Sequence, residues 1–443
     1  MNRHTGQAIL SVIWRAVLLG TMVSCCPVMA QETDSVHWRW GGDVRLRQEA
    51  FDRIPLKTAD PMEARGGKND YFRLRTRLSG GVDWGNVVSL DARLANEFRV
   101  WNCGIKSYEW PDEWIVDQLK LAFWGLWGGI ADLTVGRQDV RLGSGRLFYE
   151  GTAKDGSRTL FFDGVRLRIR PADKRTLDLF AFHGNSENHL ALGHEHRDLT
   201  GLAKGNTGMD ETSAGFFWED RSWATLGWGL YGIWLRDGVW TSAQGERHGK
   251  EDIHTLGARF MPDFGAGFSA EVELAGQFSC GSPSRRAAFA AGAVKWSPGD
   301  GDYLSLNGLA LTGDDPGTSR REDFNPVYGR GVWISDLLWY AFDADGVGLW
   351  HNLSRTWLEA GTSFGQGHRL KASAGPVWAF ERDGAGGGLF RGWLEGFCWD
   401  FPLAKGSGGV LTGRLQAEVF EPGGYYRSSD TAWLARWQLN WEF

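Results

Sequence analysis

The chain has 443 residues, with 62 Gly, 25 Trp, 13 Pro and a net charge of −6. Gly runs at about twice its usual share of roughly 7%. Abundant aromatics with mixed charge exclude a disordered chain. Gly without a three-residue period excludes a collagen-like one. A mean hydropathy of −0.33, with no long apolar run in the body, excludes a bundle of membrane helices.

Taken in chain order, the first 30 residues read as a secretory signal. Arg3 supplies a positive start, Ile9–Ile13 and Ala16–Cys26 are mostly apolar around Arg15, and Val28-Met29-Ala30 offers a small-x-small cleavage site. Gln31 is then the first mature residue, and residues 31–443 form a single domain. Lipidation at Cys25 or Cys26 is the other reading, but Met22-Val23-Ser24 matches a lipobox poorly. Removing Arg3 and Arg15 leaves 46 basic against 54 acidic residues, a mature charge of −8. Cys103, Cys280 and Cys398 remain, too few and too widely spaced for a disulfide framework or a Cys-x-x-Cys metal site.

The body alternates with period 2. Arg73, Arg75 and Arg77 oppose Phe72, Leu74 and Leu78. Arg166, Arg168 and Arg170 oppose Val165, Leu167 and Ile169. Glu271, Glu273 and Gln277 oppose Ala270, Val272, Leu274 and Phe278. Arg414, Gln416 and Glu418 oppose Leu411, Leu415 and Val419. The chain ends with Trp433, Ala435, Trp437, Leu439, Trp441 and Phe443 on one face. Charges on one side and apolar residues on the other fit strands with a polar lumen and a lipid-facing wall, and the terminal aromatic strand fits an outer-membrane barrel.

The predicted strands are 36–50, 70–83, 87–101, 115–125, 130–138, 158–170, 175–184, 220–236, 251–261, 267–279, 285–297, 301–312, 331–343, 345–363, 367–380, 388–402, 407–420 and 430–443. The patterns over 285–297 and 331–343 are the weakest. The fold class is therefore all-β, a single transmembrane antiparallel β-barrel of about 18 strands (16–18). Bacterial barrels take even strand numbers. Segments 52–69, 185–219, 237–250 and 313–330 read as long extracellular loops, with Pro55 and Pro61 keeping the first out of the sheet.

Several stretches together resemble the alginate export family of outer-membrane porins. They are Gly42-Asp43-Val44-Arg45-Leu46-Arg47, Tyr71-Phe72-Arg73-Leu74-Arg75-Thr76-Arg77 and Leu133-Thr134-Val135-Gly136-Arg137-Gln138. Phe161-Phe162-Asp163-Gly164-Val165-Arg166 and Asp323-Phe324-Asn325-Pro326-Val327-Tyr328 follow. The third looks like the family's Gly-Arg-Gln turn after a strand. The resemblance spans about residues 36–443. It implies an 18-stranded monomeric barrel with a positive pore, whose best-known relatives pass the polyanion alginate outward. Family membership leaves the solute open.

The candidate pore-lining, anion-binding residues are Arg45, Arg47, Arg73, Arg75, Arg77, Arg93, Arg137, Arg166, Arg168 and Arg414, with Arg39 and Arg99 on the same side. Guanidinium groups bind carboxylates with a planar fork, and a ladder of them in a narrow pore favours anions. The competing reading pairs them with lumen acids (Asp43, Asp91, Glu97, Glu271, Glu273, Glu395 and Glu418) as filling of the barrel. Arg137 has a second reading as a strand-end residue that fixes a turn.

His183, His189, His194 and His196 share a loop-like region without the spacing of a zinc hydrolase. Ser144 and Ser354 have no local catalytic partners, and Gly143-Ser144-Gly145-Arg146 is not a P-loop. No blade-length repeat supports a lectin-like propeller. The expectation is a channel, not an enzyme, without metal or cofactor, in the Gram-negative outer membrane after cleavage near Ala30. Its expected partners are anionic polysaccharide or small anionic solutes, outer-membrane lipid, barrel-assembly machinery through Phe443, and periplasmic export components, with no nucleic acid and a monomeric state. A general small-solute diffusion porin and an outer-membrane hydrolase are the alternatives.

Overall fold

The computed structural model describes residues 35–56, 67–104, 114–150, 161–184, 190–192, 211–238, 240–241, 247–248, 250–281, 283–329, 334–338 and 351–443. The expected signal segment and His189, His194 and His196 lie outside these.

Eighteen antiparallel strands close into one barrel. They are β1 (Val36–Asp52), β2 (Asn69–Trp84), β3 (Val88–Cys103), β4 (Trp114–Gly125), β5 (Ala131–Gln138), β6 (Phe162–Ala172), β7 (Arg175–Gly184), β8 (Glu211–Asp220) and β9 (Leu226–Asp237). Then come β10 (Glu251–Gly265), β11 (Phe268–Ser279), β12 (Arg285–Gly299), β13 (Asp302–Leu311), β14 (Leu353–Phe364), β15 (His368–Trp378), β16 (Phe390–Gly406), β17 (Gly409–Pro422) and β18 (Ala432–Glu442). Each pairs with its sequence neighbour, and β18 pairs with β1, from Asp43↔Glu442 to Asp52↔Trp433. The terminal residue completes the seam. The Gly42 N–H donates to the Phe443 carbonyl at 2.9 Å, and the Phe443 N–H donates to the Gly42 carbonyl at 3.0 Å.

The connections differ in length at the two ends. One end carries turns of two to five residues. The other carries loops that include the third, residues 139–161, and the seventh, residues 312–352. Outward positions are large and exposed, among them Trp38, Leu78, Leu256, Val294, Leu358 and Trp441. A continuous apolar wall of this extent is unstable in water and belongs in a hydrocarbon layer, where a closed sheet leaves no unpaired backbone edge. No helix among the described residues is long and apolar enough to cross a membrane, which has no bearing on strands.

Two features depart from the sequence pattern. Of the predicted strand 331–343, the described residues Ile334–Leu338 lie inside the barrel and not in its wall: they are buried and bonded to strands of the barrel's inner face. Strand β8 arises instead within the segment expected as loop 185–219. Its alternation is masked because aromatics occupy both faces, with Phe216 outward and Phe217 inward.

The packed core lies inside the barrel. The third loop turns inward through a short pairing of Val140–Arg141 with Tyr149–Glu150 and delivers Phe148, which is fully buried. Its ring lies 4.9 Å from Phe162, 4.8 Å from Phe180 and 5.0 Å from Tyr328 of the seventh loop. Edge-to-face and stacked pairs of this kind add to the burial of the rings. Backbone closeness also matters: at Gly257 of β10 a Cβ would lie 2.2 Å from the Tyr231 ring of β9, so only Gly lets that ring lie flat across the inner wall.

Phe148→Ala removes the central ring of this cluster and is expected to lower unfolding stability by about 3–5 kcal/mol. Guanidinium unfolding in detergent micelles measures it; an unchanged midpoint would show that the third loop does not support the barrel.

Candidate functional site

The site is the lumen. Strand alternation turns Asp43, Arg45, Arg47 and Glu49 of β1 inward, opposite Arg77, Arg75, Arg73 and Tyr71 of β2. Across β3, Arg73 faces Arg99 and Arg75 faces Glu97. On the other side Glu49 faces Arg436 of β18 and Arg47 faces Gln438. The sequence pattern thus brings five of the predicted arginines, Arg45, Arg47, Arg73, Arg75 and Arg77, onto one wall.

This wall is heavily bonded. Arg75 reaches Asp43 at 2.7 Å and Arg77 reaches the same carboxylate at 2.5 Å. Arg73 donates to Glu97 at 2.8 Å and lies 3.3 Å from Glu49. Arg47 donates twice to the Gln438 amide oxygen, at 2.9 and 2.6 Å. Arg45, fully buried, lies 3.7 Å from Glu97, and Arg99 lies over the Tyr71 ring at 5.1 Å. Arg436, on the polar face of the last strand, binds Glu49 at 2.7 Å. The inner face of β18, β1, β2 and β3 carries nine guanidinium groups, on Arg39, Arg45, Arg47, Arg73, Arg75, Arg77, Arg93, Arg99 and Arg436, against six carboxylates, on Asp43, Glu49, Asp83, Asp91, Glu97 and Glu442, with Asp336 of the seventh loop a seventh. Local charge is positive although the chain is acidic.

The other predicted residues are dispersed. Arg93 of β3 holds Asp117 at 2.8 Å and Asp139 at 3.0 Å. Arg166 and Arg168 of β6 share Asp178, at 2.8 and 3.0 Å, and the Arg168 side chain keeps 41% of its surface exposed. Arg414 of β17 forks onto Asp400 at 2.6 and 3.1 Å. Arg39 pairs with Asp83 and Asp91 at the short-turn end.

Arg137 departs from the pore-lining expectation. The register puts it beside Leu119 and Asp163, on the face opposite Arg166 and Arg168. There it forks onto Asp163 at 2.8 and 2.8 Å, donates to the Val116 carbonyl at 2.8 Å, and lies 3.5 Å from the Phe161 ring centroid. Its three neighbours satisfy the charge locally, so it stands on the outer face near the long-loop end as a strand-end clamp. Gly136-Arg137-Gln138 is correspondingly the end of β5, paired with β6, and not a turn. Glu395 also leaves the lumen: it pairs with Val419 and Ala374 on the outer face and accepts from the Trp393 indole at 3.1 Å.

The opposite wall carries Glu219, Glu271 and Glu273, bridged by two arginines. Arg259 reaches Glu271 at 2.9 Å and Glu219 at 3.3 Å, while Arg146 of the third loop binds Glu271 and reaches Glu273 at 3.2 Å. Ser144 donates to Glu273 at 2.5 Å. Ser354 lies on the outer face between Ala310 and Trp378, and His183 bonds Thr212 at 2.9 Å on the same face.

The seventh loop crosses this space and is held at two places. Asn325 donates its N–H to Gln277 at 2.8 Å, accepts from the Gln277 amide at 2.5 Å, and donates to Asp237 at 3.2 Å. Asp323 beside it is pushed up by burial, but the charges of Arg285, His351 and Arg321 outweigh this and hold its carboxyl below the usual range. Further along, Glu418 of β17 accepts from the Ser335 hydroxyl at 2.5 Å and from the Asp336 and Leu337 N–H groups at 3.1 and 3.0 Å. Asp336 in turn takes Arg436 at 2.8 Å and Gln416 at 2.6 Å, and Arg355 donates to the Ile334 carbonyl at 2.7 Å. Beneath the loop lies a cavity of about 440 Å³ lined by Arg355, Trp357, Glu359, Lys371, Asp400 and Arg414. Arg146, Arg355 and Arg436 were absent from the predicted set. Only Arg436 carried a visible signal, its place among the polar positions of the last strand.

No family profile and no curated protein matches the sequence. Solved structures do match. Pseudomonas aeruginosa OccK11 (OpdR) superposes with a TM-score of 0.53 at 14% identity, covering 92% of this chain and 96% of that one. The outer membrane protein OpdK of Pseudomonas aeruginosa gives 0.58 at 13% identity, covering 91% and 99%. OpdK with vanillate gives 0.56 at 13%, covering 91% and 98%. At this identity the likeness is one of fold, that of outer-membrane porins. Nothing in these matches supports the alginate export family in particular.

Replacing Glu418 by Ala removes three bonds from the seventh loop at once. Trypsin cleavage within that loop, in the folded detergent-solubilised barrel, is expected to accelerate on the order of tenfold, equivalent to about 1.4 kcal/mol of local opening. An unchanged cleavage rate would show that Glu418 does not hold the loop.

Proposed function

We propose that the protein is an outer-membrane porin that conducts small anionic solutes, carboxylates above all, by passive diffusion. The carrying observation is the surplus of nine guanidinium groups over seven carboxylates, Asp336 included, along the β18–β1–β2–β3 wall. Arg45, Arg47, Arg75 and Arg436 are nearly inaccessible, whereas Arg73, Arg77, Arg93, Arg166 and Arg168 keep part of their surface exposed. The buried group sets a positive field and the accessible group offers successive weak sites to a passing anion.

Three further points support this reading. The fold is that of outer-membrane porins. One similar barrel, OpdK, has been crystallised with vanillate, an aromatic monocarboxylate. The third and seventh loops fold into the lumen, which suits small solutes better than a broad polymer. Passage of an alginate-like polysaccharide rests on the same arginines alone and is the less supported reading. In outer-membrane barrels the short turns are periplasmic and the long loops extracellular, which supports the same orientation here. The proposal includes export behind a cleaved signal, insertion by the barrel-assembly machinery through Phe443, a monomeric barrel in contact with outer-membrane lipid, and no reaction chemistry.

Single-channel recording under a chloride gradient tests the proposal. The wild type is expected to be anion-selective, and the combined change of Arg73, Arg77 and Arg168 to Ala to lower the anion-to-cation permeability ratio about threefold or more, a loss of the local field. Millimolar benzoate should reduce the chloride current while a uronate oligomer leaves it unchanged. Cation selectivity, or an unaltered reversal potential in the triple variant, would overturn the proposal; block by the uronate oligomer alone would favour the polysaccharide.

A further inference from the structure

Most of the outer wall is bulky, but part of it across β10 to β13 is not. Below the long-loop end the outward positions there are Ala258, Gly276, Ala288, Ala290 and Ala310. They form the floor of a groove of about 580 Å³, walled by Leu256 and Leu274. A Cβ placed on Gly276 would meet nothing within 4 Å, so the groove is open to the outside and unfilled by neighbouring side chains. Small residues on adjacent strands leave room for close contact along a hydrocarbon chain, where each lost contact would forfeit dispersion energy.

The mouth of this groove is charged. Arg286 lies on the outer face opposite Phe278, is exposed, and makes no ion pair among the described residues. Beside it runs the seventh loop: the Arg286 N–H donates to the Arg321 carbonyl at 2.9 Å, and the Arg321 N–H donates to the Ser284 carbonyl at 2.9 Å. Arg285 and Arg321 both turn inward to Glu251, at 2.8 and 3.0 Å. Alternation along β12 therefore sends Arg286 outward, and Arg320 precedes Arg321 in the bend beside it. Arg320 is exposed and likewise makes no ion pair among the described residues. The loop on either side of Arg320 is acidic, with Asp314, Asp315 and Glu322 acting together with Asp383 on Glu381, which leaves an anion to Arg286 of β12.

An apolar slot in the outer-leaflet half of the wall, ending at the exposed guanidinium group of Arg286, matches a molecule with an acyl chain and a phosphate. We propose that this groove binds a phosphorylated glycolipid of the outer leaflet, of the lipid A type, with an acyl chain along Ala288 and Ala290 and a phosphate at Arg286. The site depends on the outer-membrane orientation but not on the solute that the lumen passes, so channel selectivity and lipid binding fail independently.

Native mass spectrometry of the full barrel in detergent, titrated with lipid A, dephosphorylated lipid A or phosphatidylglycerol, tests the assignment. One lipid A adduct is expected, with affinity about tenfold or more above that for the other two lipids. Two variants should each weaken it by a similar factor: Arg286→Ala, which removes the charge, and Ala290→Leu, which fills the slot. Heat-modifiable migration verifies that both remain folded barrels. Equal affinity for phosphatidylglycerol, undiminished lipid A binding in either folded variant, or a dimer mass in place of the lipid adduct would overturn the proposal.

Discussion

Closure of the sheet is the constraint on which everything else depends. With β18 hydrogen-bonded to β1, and Phe443 bonded to Gly42 at the seam, every strand has two partners and no edge is left to meet lipid. Closure fixes a radius, and at eighteen strands the enclosed space is too wide for side chains from the wall alone to fill. The remainder is occupied by the third and seventh loops and by charge. The outer wall and the lumen are thus two consequences of one hydrogen-bonded ring.

Charge inside such a ring must be compensated, and the lumen arginines show how far compensation goes. Arg45, Arg47, Arg75 and Arg436 are almost fully buried, each within a network of carboxylates and amides. Breaking a buried pair by removing one partner costs roughly 3–5 kcal/mol, so these residues belong to the architecture as well as to the field in the pore. Arg77 and Arg168 are different: each has a carboxylate partner yet keeps part of its surface exposed, so under the proposed function these are the guanidinium groups for which an anion competes without dismantling the wall. Structural filling thus describes the buried arginines, and the proposed anion path falls to the exposed ones of the same ladder.

The seventh loop links wall and lumen. Asp336 stands where Arg436, Gln416 and the segment capped by Glu418 converge, so residues about 80 to 100 positions apart in sequence share one buried network. Asp323-Phe324-Asn325-Pro326-Val327-Tyr328 forms the other anchor, with Asn325 on Gln277 and Tyr328 on Phe148. A stretch that reads in sequence as the approach to a late strand is in fact the loop's hold on the inner wall.

Period-2 alternation is a local property of a strand, because successive side chains leave a pleated backbone on opposite sides. For that reason the sequence by itself determined the barrel class, the inward arginines of β1, β2 and β6, and the outward Trp433, Trp437 and Trp441, while its count of about 18 strands (16–18) held with one predicted strand lost and β8 gained. Tertiary structure decided whatever depends on partners distant in the chain. Pairing with β4 and β6 placed Arg137 on the outer face with Asp163, and pairing with β15 and β17 placed Glu395 there. Burial against Glu418 and Arg355 drew Ile334–Leu338 out of the wall, and β8 formed where aromatics on both faces had hidden the alternation. A residue's face follows from its own strand, but which strand it joins, and which charge it meets, is settled only when the ring closes.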